Sequence, residues 1–533
     1  MSIASARRLA GTLALQGLLF CFASEGGTQT ETSHTAIKPN VLIILADDLG
    51  YGDVQCYNPQ RGKIPTPNID RLASQGMRFT DAHSSSGVCS PSRYTLLTGR
   101  YHWRTRLQSG IVGVFGEPLI APDRLTLAGL AKQHGYQTAC VGKWHLGWGW
   151  PIAKAQRPLF QVARGRNDEA APSEAHLAAW HEVFSKPIPG GPTARGFDTY
   201  FGTDVPNWPP YCFIENDRTV GLPSEFLPKR LLGGNSHLAS QPGPALKDWK
   251  LENILPALGD RASAFLASQS KGGKPFLLYL PLTSPHEPIA LTEEWKGKSG
   301  LIPYADFVME TDAVVGRVLE ALEKSGLADS TLVLFTSDNG KAAYTGAAEL
   351  ENLGHYPSGP LRGYKTSVYE GGHREPFIVR WPGVVKPGSV CGQLAHQADV
   401  LATLAEILGA KLPAGAGEDS FSLLPLLRGE DRPVREHAVS CAANGVQGVR
   451  QGAWKLICSA PPQLYNLAED LGETRDLAAQ QPERVKELLA LRERLITDGR
   501  STPGEPQKND VDVIRLPATA AGAPKAKQRK GKK

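Results

Sequence analysis

Two polar pairs mark where this chain could hold a metal. Asp47-Asp48 directly follows the apolar run NVLIILA (40–46), and Asp338-Asn339 follows TLVLFT (331–336) with one serine between. Brought together, three carboxylates would repel one another unless a cation lay among them, which calls for a hard divalent ion held by oxygen. The set contains no histidine, so Ca2+ or Mg2+ suits it better than zinc. One Asp-Asp pair alone reads as well as a helix cap or a turn; two such pairs, each ending a buried run, argue for the ion. Lys143, His145, His286, Lys365 and Arg93 add five cationic or proton-donating groups. That number suits a tetrahedral oxyanion, because such donors stabilise charge as it develops and protonate a leaving group. Singly each has a structural reading, and only the group speaks of chemistry. Cys89, in Val88-Cys89-Ser90-Pro91-Ser92-Arg93, is the candidate nucleophile. Pro91 suits the first turn of a helix continuing to Gly99, so Cys89 stands at a helix N-terminus, where anionic groups are stabilised. From the local residues alone, a catalytic thiolate and an inert buried thiol both remain open.

The elements that must position these groups are legible as short apolar runs alternating with helix-like stretches. The runs are Asn40 to Ala46, Gln137 to Val141, Phe276 to Leu282, Thr331 to Thr336 and Phe377 to Arg380; Ile69 to Gln75 and Asp306 to Lys324 carry helical spacing. This is the pattern of an α/β fold, a large and mostly parallel central sheet flanked by helices. Ligands of such sheets bind beyond the carboxyl ends of the strands. Four of the five runs lead into polar residues there: Asp47-Asp48, Lys143-Trp144-His145, Ser284-Pro285-His286 and Ser337-Asp338-Asn339. From about Gly147 to Gly243 the chain is rich in Pro, Gly and Trp and reads as long irregular excursions over the active face. There Trp148, Trp150, Trp180, Trp208 and Tyr211 either stack on sugar rings or form the excursion's own core. After Arg432 short strand-like pieces and a helix near Glu483 to Ile496 predict a smaller α+β domain of antiparallel strands. The expected division is a signal segment at 1–23, a catalytic domain at 38–431, the smaller domain at 432–500 and a disordered tail at 516–533.

The formal charge of +5 comes from the ends. Lys525, Lys527, Arg529, Lys530, Lys532 and Lys533 crowd the tail, and Arg7 and Arg8 precede an apolar stretch from Leu9 to Phe22. Removing those eight from 58 leaves 50 basic against 53 acidic residues, so the folded part carries no basic footprint for nucleic acid. The charged start, the apolar core and the small Ala23 read as a secretory signal, too short for a confident membrane span. Bulky Phe20 argues against lipid attachment at Cys21. Export to a periplasmic, secreted or lysosome-like compartment then lets Cys56, Cys140, Cys212, Cys391, Cys441 and Cys458 form disulfides, in about 15 possible pairings. Cys441 and Cys458 flank a glycine-punctuated segment readable as a hairpin, and are expected to pair.

At this point the sequence resembles the type I sulfatase family, arylsulfatase-like enzymes of the alkaline-phosphatase-like superfamily, from Asn40 to about Leu477. The most specific motif is Cys89-x-Pro91-Ser92-Arg93 with Leu97-Thr98-Gly99-Arg100, by which family members have this cysteine oxidised to Cα-formylglycine. Asp47-Asp48-Leu49-Gly50, Gly142-Lys143-Trp144-His145-Leu146-Gly147, Ser337-Asp338-Asn339-Gly340 and Gly363-Tyr364-Lys365 follow in family order. The resemblance implies one Ca2+ bound by Asp47, Asp48, Asp338, Asn339 and the modified Cys89, and hydrolysis of sulfate esters through a formylglycine diol. It implies that His286 and Lys365 contact the sulfate and help protonate the departing alcohol. Lys143, His145 and Arg93 would hold the diol, with His145 taking the proton that expels sulfate. The partners implied are a formylglycine-generating maturation enzyme and a sulfate ester, a sulfated saccharide before a small aryl sulfate.

Two rival readings share parts of this pattern. A phosphoesterase of the same superfamily would use two zinc ions, several histidines and a Ser or Thr nucleophile, and Asn339 stands where such an enzyme would carry histidine. A calcium-stabilised carbohydrate-binding protein would have shed Cys89 or one of the cations, and none is missing.

Overall fold

The computed structural model describes residues 38–161, 172–232, 240–269 and 272–515. The signal segment expected at 1–23 and the tail at 516–533 lie outside them. Among the described residues, ten strands form the main sheet: β1 (Asn40–Ala46), β2 (Met77–Phe79), β3 (Gln137–Lys143), β4 (Thr199–Thr203), β5 (Ile214–Glu215), β6 (Arg218–Thr219), β7 (Phe276–Pro281), β8 (Thr331–Ser337), β9 (Phe377–Arg380) and β10 (Ser389–Cys391), in the order β10-β2-β9-β8-β1-β7-β3-β4-β5-β6. The central strands β8, β1, β7, β3 and β4 are mutually parallel. Every residue of β1 is buried, as a strand covered on both faces requires.

Side-chain alternation divides the core between the two faces. Val41, Ile43 and Leu45 of β1 join Leu277 and Tyr279 of β7 in one cluster, with the helices α2 (Cys89–Thr98), α3 (Leu127–Gln133) and α7 (Asp399–Ile407). Leu42, Ile44 and Ala46 join Leu278 and Leu280 in the other, against α1 (Pro67–Gln75), α5 (Ile254–Ser268) and α6 (Pro303–Lys324). The backbones of β3 and β7 approach closely: a Cβ on Gly142 would lie 1.8 Å from the Pro281 carbonyl oxygen, and Gly142 itself has φ of 141°. Only glycine fits that position.

The strand Phe377–Arg380 runs antiparallel to β8, which is why it alone of the five runs does not lead to the polar residues, and the central sheet is mostly parallel as expected. Two expectations are corrected. The stretch from 147 to 243 carries more order than its composition suggests: β4 extends the parallel sheet, β5 and β6 continue it, and α4 (Glu174–Phe184) packs beside them. Trp148, Trp180 and Tyr211 are core residues of the two clusters and Trp208 is buried, which favours the packing reading over exposed sugar platforms for these four, while Trp150, also in the core, borders a cavity as well.

Cysteine pairing is the second. Cys56, Cys89, Cys140, Cys212, Cys391, Cys441 and Cys458 are all free thiols. The C-terminal segment forms a four-stranded antiparallel meander, β11 (His437–Cys441), β12 (Gln447–Gln451), β13 (Trp454–Ile457) and β14 (Gln463–Asn466), followed by α8 (Pro482–Thr497). Cys441 pairs with Gln447, whose carbonyl on the other side accepts from Cys458 N at 2.8 Å. The two cysteines thus sit two strand spacings apart, about 10 Å, beyond the reach of a disulfide.

This smaller sheet shares a core with the first half of the chain, because Tyr101 and Trp103 pack among Val439, Leu456 and Leu491. A buried ionic junction joins the same parts. Asp81 is bound by Arg374 at 3.1 Å and by Arg450 of β12 at 3.0 Å, while Lys455 of β13 lies 2.8 Å from both Glu370 and Glu473. His83 and His373, whose Nδ1 atoms are 3.1 Å apart, lie beside Glu370 in this junction; His83 is held by Asp81 and His373 by the Val368 carbonyl.

Candidate active site

Because β1, β7, β3 and β8 are parallel, their carboxyl ends share one edge, and the polar residues that follow them meet there. The ladders continue past the strand ends: Asp47 N donates to Ser284 O at 3.0 Å and Asp338 N to Ala46 O at 3.1 Å. Asp48 turns into the left-handed region at φ of 62°, which Asp tolerates better than most residues. The turn lets its N–H donate to Asp338 Oδ1 at 3.2 Å, while its own Oδ1 accepts from Asn339 Nδ2 at 2.7 Å.

Cations interleave with these carboxylates. Lys143 Nζ lies 2.7 Å from Asp47 Oδ2, Lys365 Nζ lies 2.6 Å from Asp48 Oδ2, and Arg93 donates twice to Asp338 Oδ2 at 2.7 and 2.9 Å. Arg93 also approaches Asp47 Oδ1 at 3.3 Å. Burial works against ionising Asp47, but Lys143, His286, Arg93 and Lys365 outweigh it and hold the carboxyl well below its usual range. For Asp338 burial prevails over Arg93 and pushes the carboxyl up to about 6.

The sequence places Cys89 at the start of a helix, and α2 begins there and ends at Gly99, whose φ of 62° and bond to Thr95 O form a left-handed cap. All ten residues of α2 are buried. Cys89 Sγ lies 3.6 Å from Lys143 Nζ, 3.7 Å from Lys365 Nζ and 3.7 Å from Asp47 Oδ1. Burial nevertheless pushes this thiol up to about 12. As it stands it is not the activated thiolate of a cysteine nucleophile.

His286 Nε2 lies 3.8 Å from Asp48 Oδ2, and its Nδ1 is 2.5 Å from Glu287 O. His145, on a left-handed φ of 53°, is anchored by its N–H to Asp204 Oδ1 at 3.1 Å and by Nε2 against Val112 O at 3.1 Å. Trp208 packs on its ring at 5.2 Å, and its Nδ1 is buried without a partner. Burial, then Lys143 and Arg93, push the imidazole well below its usual range, so it is uncharged. All ten candidate residues, Asp47, Asp48, Cys89, Arg93, Lys143, His145, His286, Asp338, Asn339 and Lys365, are thus at or beside this edge.

The carboxylates of Asp47 and Asp48 fit a hard cation. With Cys89 Sγ and an imidazole nitrogen of His286 they place ligand atoms within 4.8 Å of one another, a group that does not include Asp338, whose oxygens accept from Arg93 and Asp48 N. The Asn339 Oδ1 is buried without a hydrogen-bond partner, an orphan acceptor of the kind a metal ion satisfies. Charge agrees. Asp47, Asp48 and Asp338 are balanced by Lys143, Lys365 and Arg93, so the cluster is neutral in itself. A divalent cation bound here would leave two positive charges for bound anions to match.

A further layer holds these residues. Tyr304 of α6 donates to Asp53 Oδ2 at 2.7 Å and reaches Asp48 O at 3.2 Å, and His355 Nε2 lies 2.8 Å from Asp53 Oδ1. Asp53 in turn accepts from Gly50 N at 2.9 Å, fixing the loop after Asp48. None of Asp53, Tyr304, His355 or Asp204 was singled out by the sequence. Only Asp53 left a signal, in the tight run Gly50-Tyr51-Gly52-Asp53.

Residues 39–410 match the family model described as Sulfatase. The chain is 34% identical over 509 residues to the N-acetylgalactosamine-6-O-sulfatase of Bacteroides thetaiotaomicron, covering 91% of this chain and 98% of that protein. It is 32% identical over 496 residues to human arylsulfatase A, covering 86% and 87%. A solved structure from work on glycosaminoglycan metabolism by B. thetaiotaomicron superposes with a TM-score of 0.74 at 33% identity, covering 86% of this chain and 99% of that one.

Proposed function

The chain belongs to the sulfatase family and hydrolyses sulfate esters; from that premise we propose that its substrate is a sulfated saccharide, cleaved at a formylglycine made from Cys89 beside one calcium ion. The observation that carries the reading is the meeting of Asp47 and Asp48 with Cys89, Lys143 and Lys365 at one sheet edge, where Asp338 and Asn339 are each hydrogen-bonded to Asp48. The oxygen atoms of Asp47, Asp48, Asp338 and Asn339 would hold the ion, which when bound supplies Lewis-acid stabilisation of the sulfate oxygens. The aldehyde, once hydrated, supplies an oxygen nucleophile in place of the thiol.

The chain's own residues then have defined tasks. Lys143 and Lys365, 3.6 and 3.7 Å from the Cys89 sulfur, neutralise charge as it builds on the nucleophile and on the sulfate. Arg93 works chiefly through Asp338, whose carboxylate its fork orients. His145, uncharged and with Nδ1 unpartnered, takes the proton at the nucleophile when sulfate is expelled. Lys365, paired with Asp48, is the donor to the departing alcohol; His286, which burial lowers to about 4 and whose Nδ1–H is committed to the Glu287 carbonyl, shares that task once a bound sulfate charges its ring.

The kinship with an N-acetylgalactosamine-6-O-sulfatase makes a 6-O-sulfated amino sugar the first substrate to try. The apolar stretch before Ala23 supports export, and no helix among the described residues is long and apolar enough to cross a membrane. The test has two parts. Mass analysis of the Cys89 peptide, from protein made alongside a maturation enzyme, is expected to show an aldehyde, and a panel of defined sulfated saccharides to show turnover of at least one. An unmodified thiol in active protein would end the formylglycine reading; turnover of aryl sulfates alone would end the saccharide reading.

A further inference from the structure

A cavity of about 410 Å3 lies outside the catalytic cluster, between the loop Val114-Phe115-Glu117 and the chain from Trp150 to Gln161. Its walls are tied to His145. Val112, two residues before the loop, accepts from His145 Nε2, and Trp148, three residues after His145, donates its N–H to Gly116 O at 3.2 Å. Gln241 lines a third side, and its N–H bonds at 3.0 Å to the carbonyl of Asn207, the residue before the tryptophan that packs on His145.

The lining has a definite chemistry. Phe115, Trp150 and Phe160 give aromatic surface, Phe115 set edge-on to Trp150 at 5.9 Å and to Phe160 at 5.3 Å. Phe115 holds a left-handed φ of 54°, which a bulky residue avoids unless the surroundings enforce it. Trp150 is 6% exposed, and its Nε1 is a buried donor without a partner. At the rim Glu117 and Arg157 face each other at 3.1 Å, both exposed, beside exposed Gln161. Aromatic faces with planar amide, carboxylate and guanidinium groups suit a pyranose, whose C–H face packs on rings while neighbouring hydroxyls donate and accept in pairs. The rim carries one charge of each sign, so it selects an uncharged ring over a second sulfate. Its volume is that of a ligand site.

We propose that this cavity is a distal subsite, holding an uncharged sugar unit of the same chain whose sulfated unit lies at Cys89. The inference rests on the saccharide reading above. It predicts that the enzyme gains from a longer substrate through KM rather than kcat.

The test compares one sulfated sugar presented as a monosaccharide and as a tetrasaccharide with uncharged neighbours. The intact protein should show kcat/KM about tenfold higher on the tetrasaccharide. The exposed pair Arg157→Ala with Gln161→Ala should erase that gain while the monosaccharide rate stays within about twofold. The desulfated tetrasaccharide should perturb tryptophan fluorescence of the intact protein and not of the double variant. Equal kcat/KM on both lengths, or equal losses on both in the variant, would overturn the subsite and leave the saccharide reading standing. Cleavage of aryl sulfate with no saccharide turned over would overturn both.

Discussion

At the scale of single residues, the site divides into groups that touch the reacting atoms and groups that hold them. Cys89→Ala removes the nucleophile yet keeps a small apolar side chain at the head of α2. Turnover is expected to fall by at least about 10^4-fold with an unchanged circular dichroism spectrum; residual turnover within tenfold of the parent would place the nucleophile elsewhere. Tyr304→Phe deletes only the hydroxyl that bonds Asp53 and the Asp48 carbonyl. Losses from such outer residues run to about 10–100-fold in metal affinity, measurable by titrating calcium into chelator-treated enzyme. An unchanged affinity would show that the loop holds itself. The contrast between these two residues also explains what was legible. Asp47, Asp48, Asp338 and Asn339 each directly follow a strand, so strand and ligand can be read as one segment. Tyr304 and His355 are 251 and 302 residues from the Asp53 they bind, and nothing local announces them.

Among elements, the sheet edge was readable because apolar runs of β-branched and leucine residues mark buried parallel strands, and four of them end in polar triplets or pairs. The direction of β9 was not, since a buried strand looks the same whichever way it runs. Nor was the pairing of cysteines, because a meander and a two-stranded hairpin carry the same glycine punctuation. As all seven described cysteines are free, a reducing agent is expected to leave the melting temperature unchanged; a clear drop would mean that bonds form among them. The junction between β13 and the larger sheet rests on Lys455, buried between Glu370 and Glu473. Lys455→Met would keep the stem and leave Glu473 without a cation and Glu370 with only Arg374 and Arg450, a loss of about 3–5 kcal/mol by denaturant unfolding. A cost under about 1 kcal/mol would mean that Arg374 and Arg450 carry the junction alone.

For the whole molecule, acid response follows from what is buried neutral. Burial pushes His83, His102, His373 and His396 below the usual imidazole range, His102 to about 3. The unfolded chain therefore binds more protons than the folded one below about pH 6.5, and these groups remove stability as pH falls. Buried carboxyls act the other way: burial raises Glu375 and Asp399, which add stability on acidification. His102 can be isolated from that balance by His102→Gln, which removes its titration. The stability advantage of the parent over this variant should shrink below pH 6.5 by about 1.4 kcal/mol per pH unit. A difference constant from pH 7 to pH 5 would show that His102 takes up its proton in place.

The burial of α2 also sets a timetable. The segment before Cys89 is clasped by the far end of the chain: Ser440 Oγ donates to Ser84 O at 2.7 Å, with 356 residues between them. At a synthesis rate of roughly 5–20 residues per second, β11 leaves the ribosome about 20–70 s after the cysteine does. Under the proposed conversion, those seconds are the maturation enzyme's opportunity, because afterwards its target has no surface. Protein that completes folding as the thiol would be stranded, and a later supply of the modifying enzyme would rescue it only after unfolding.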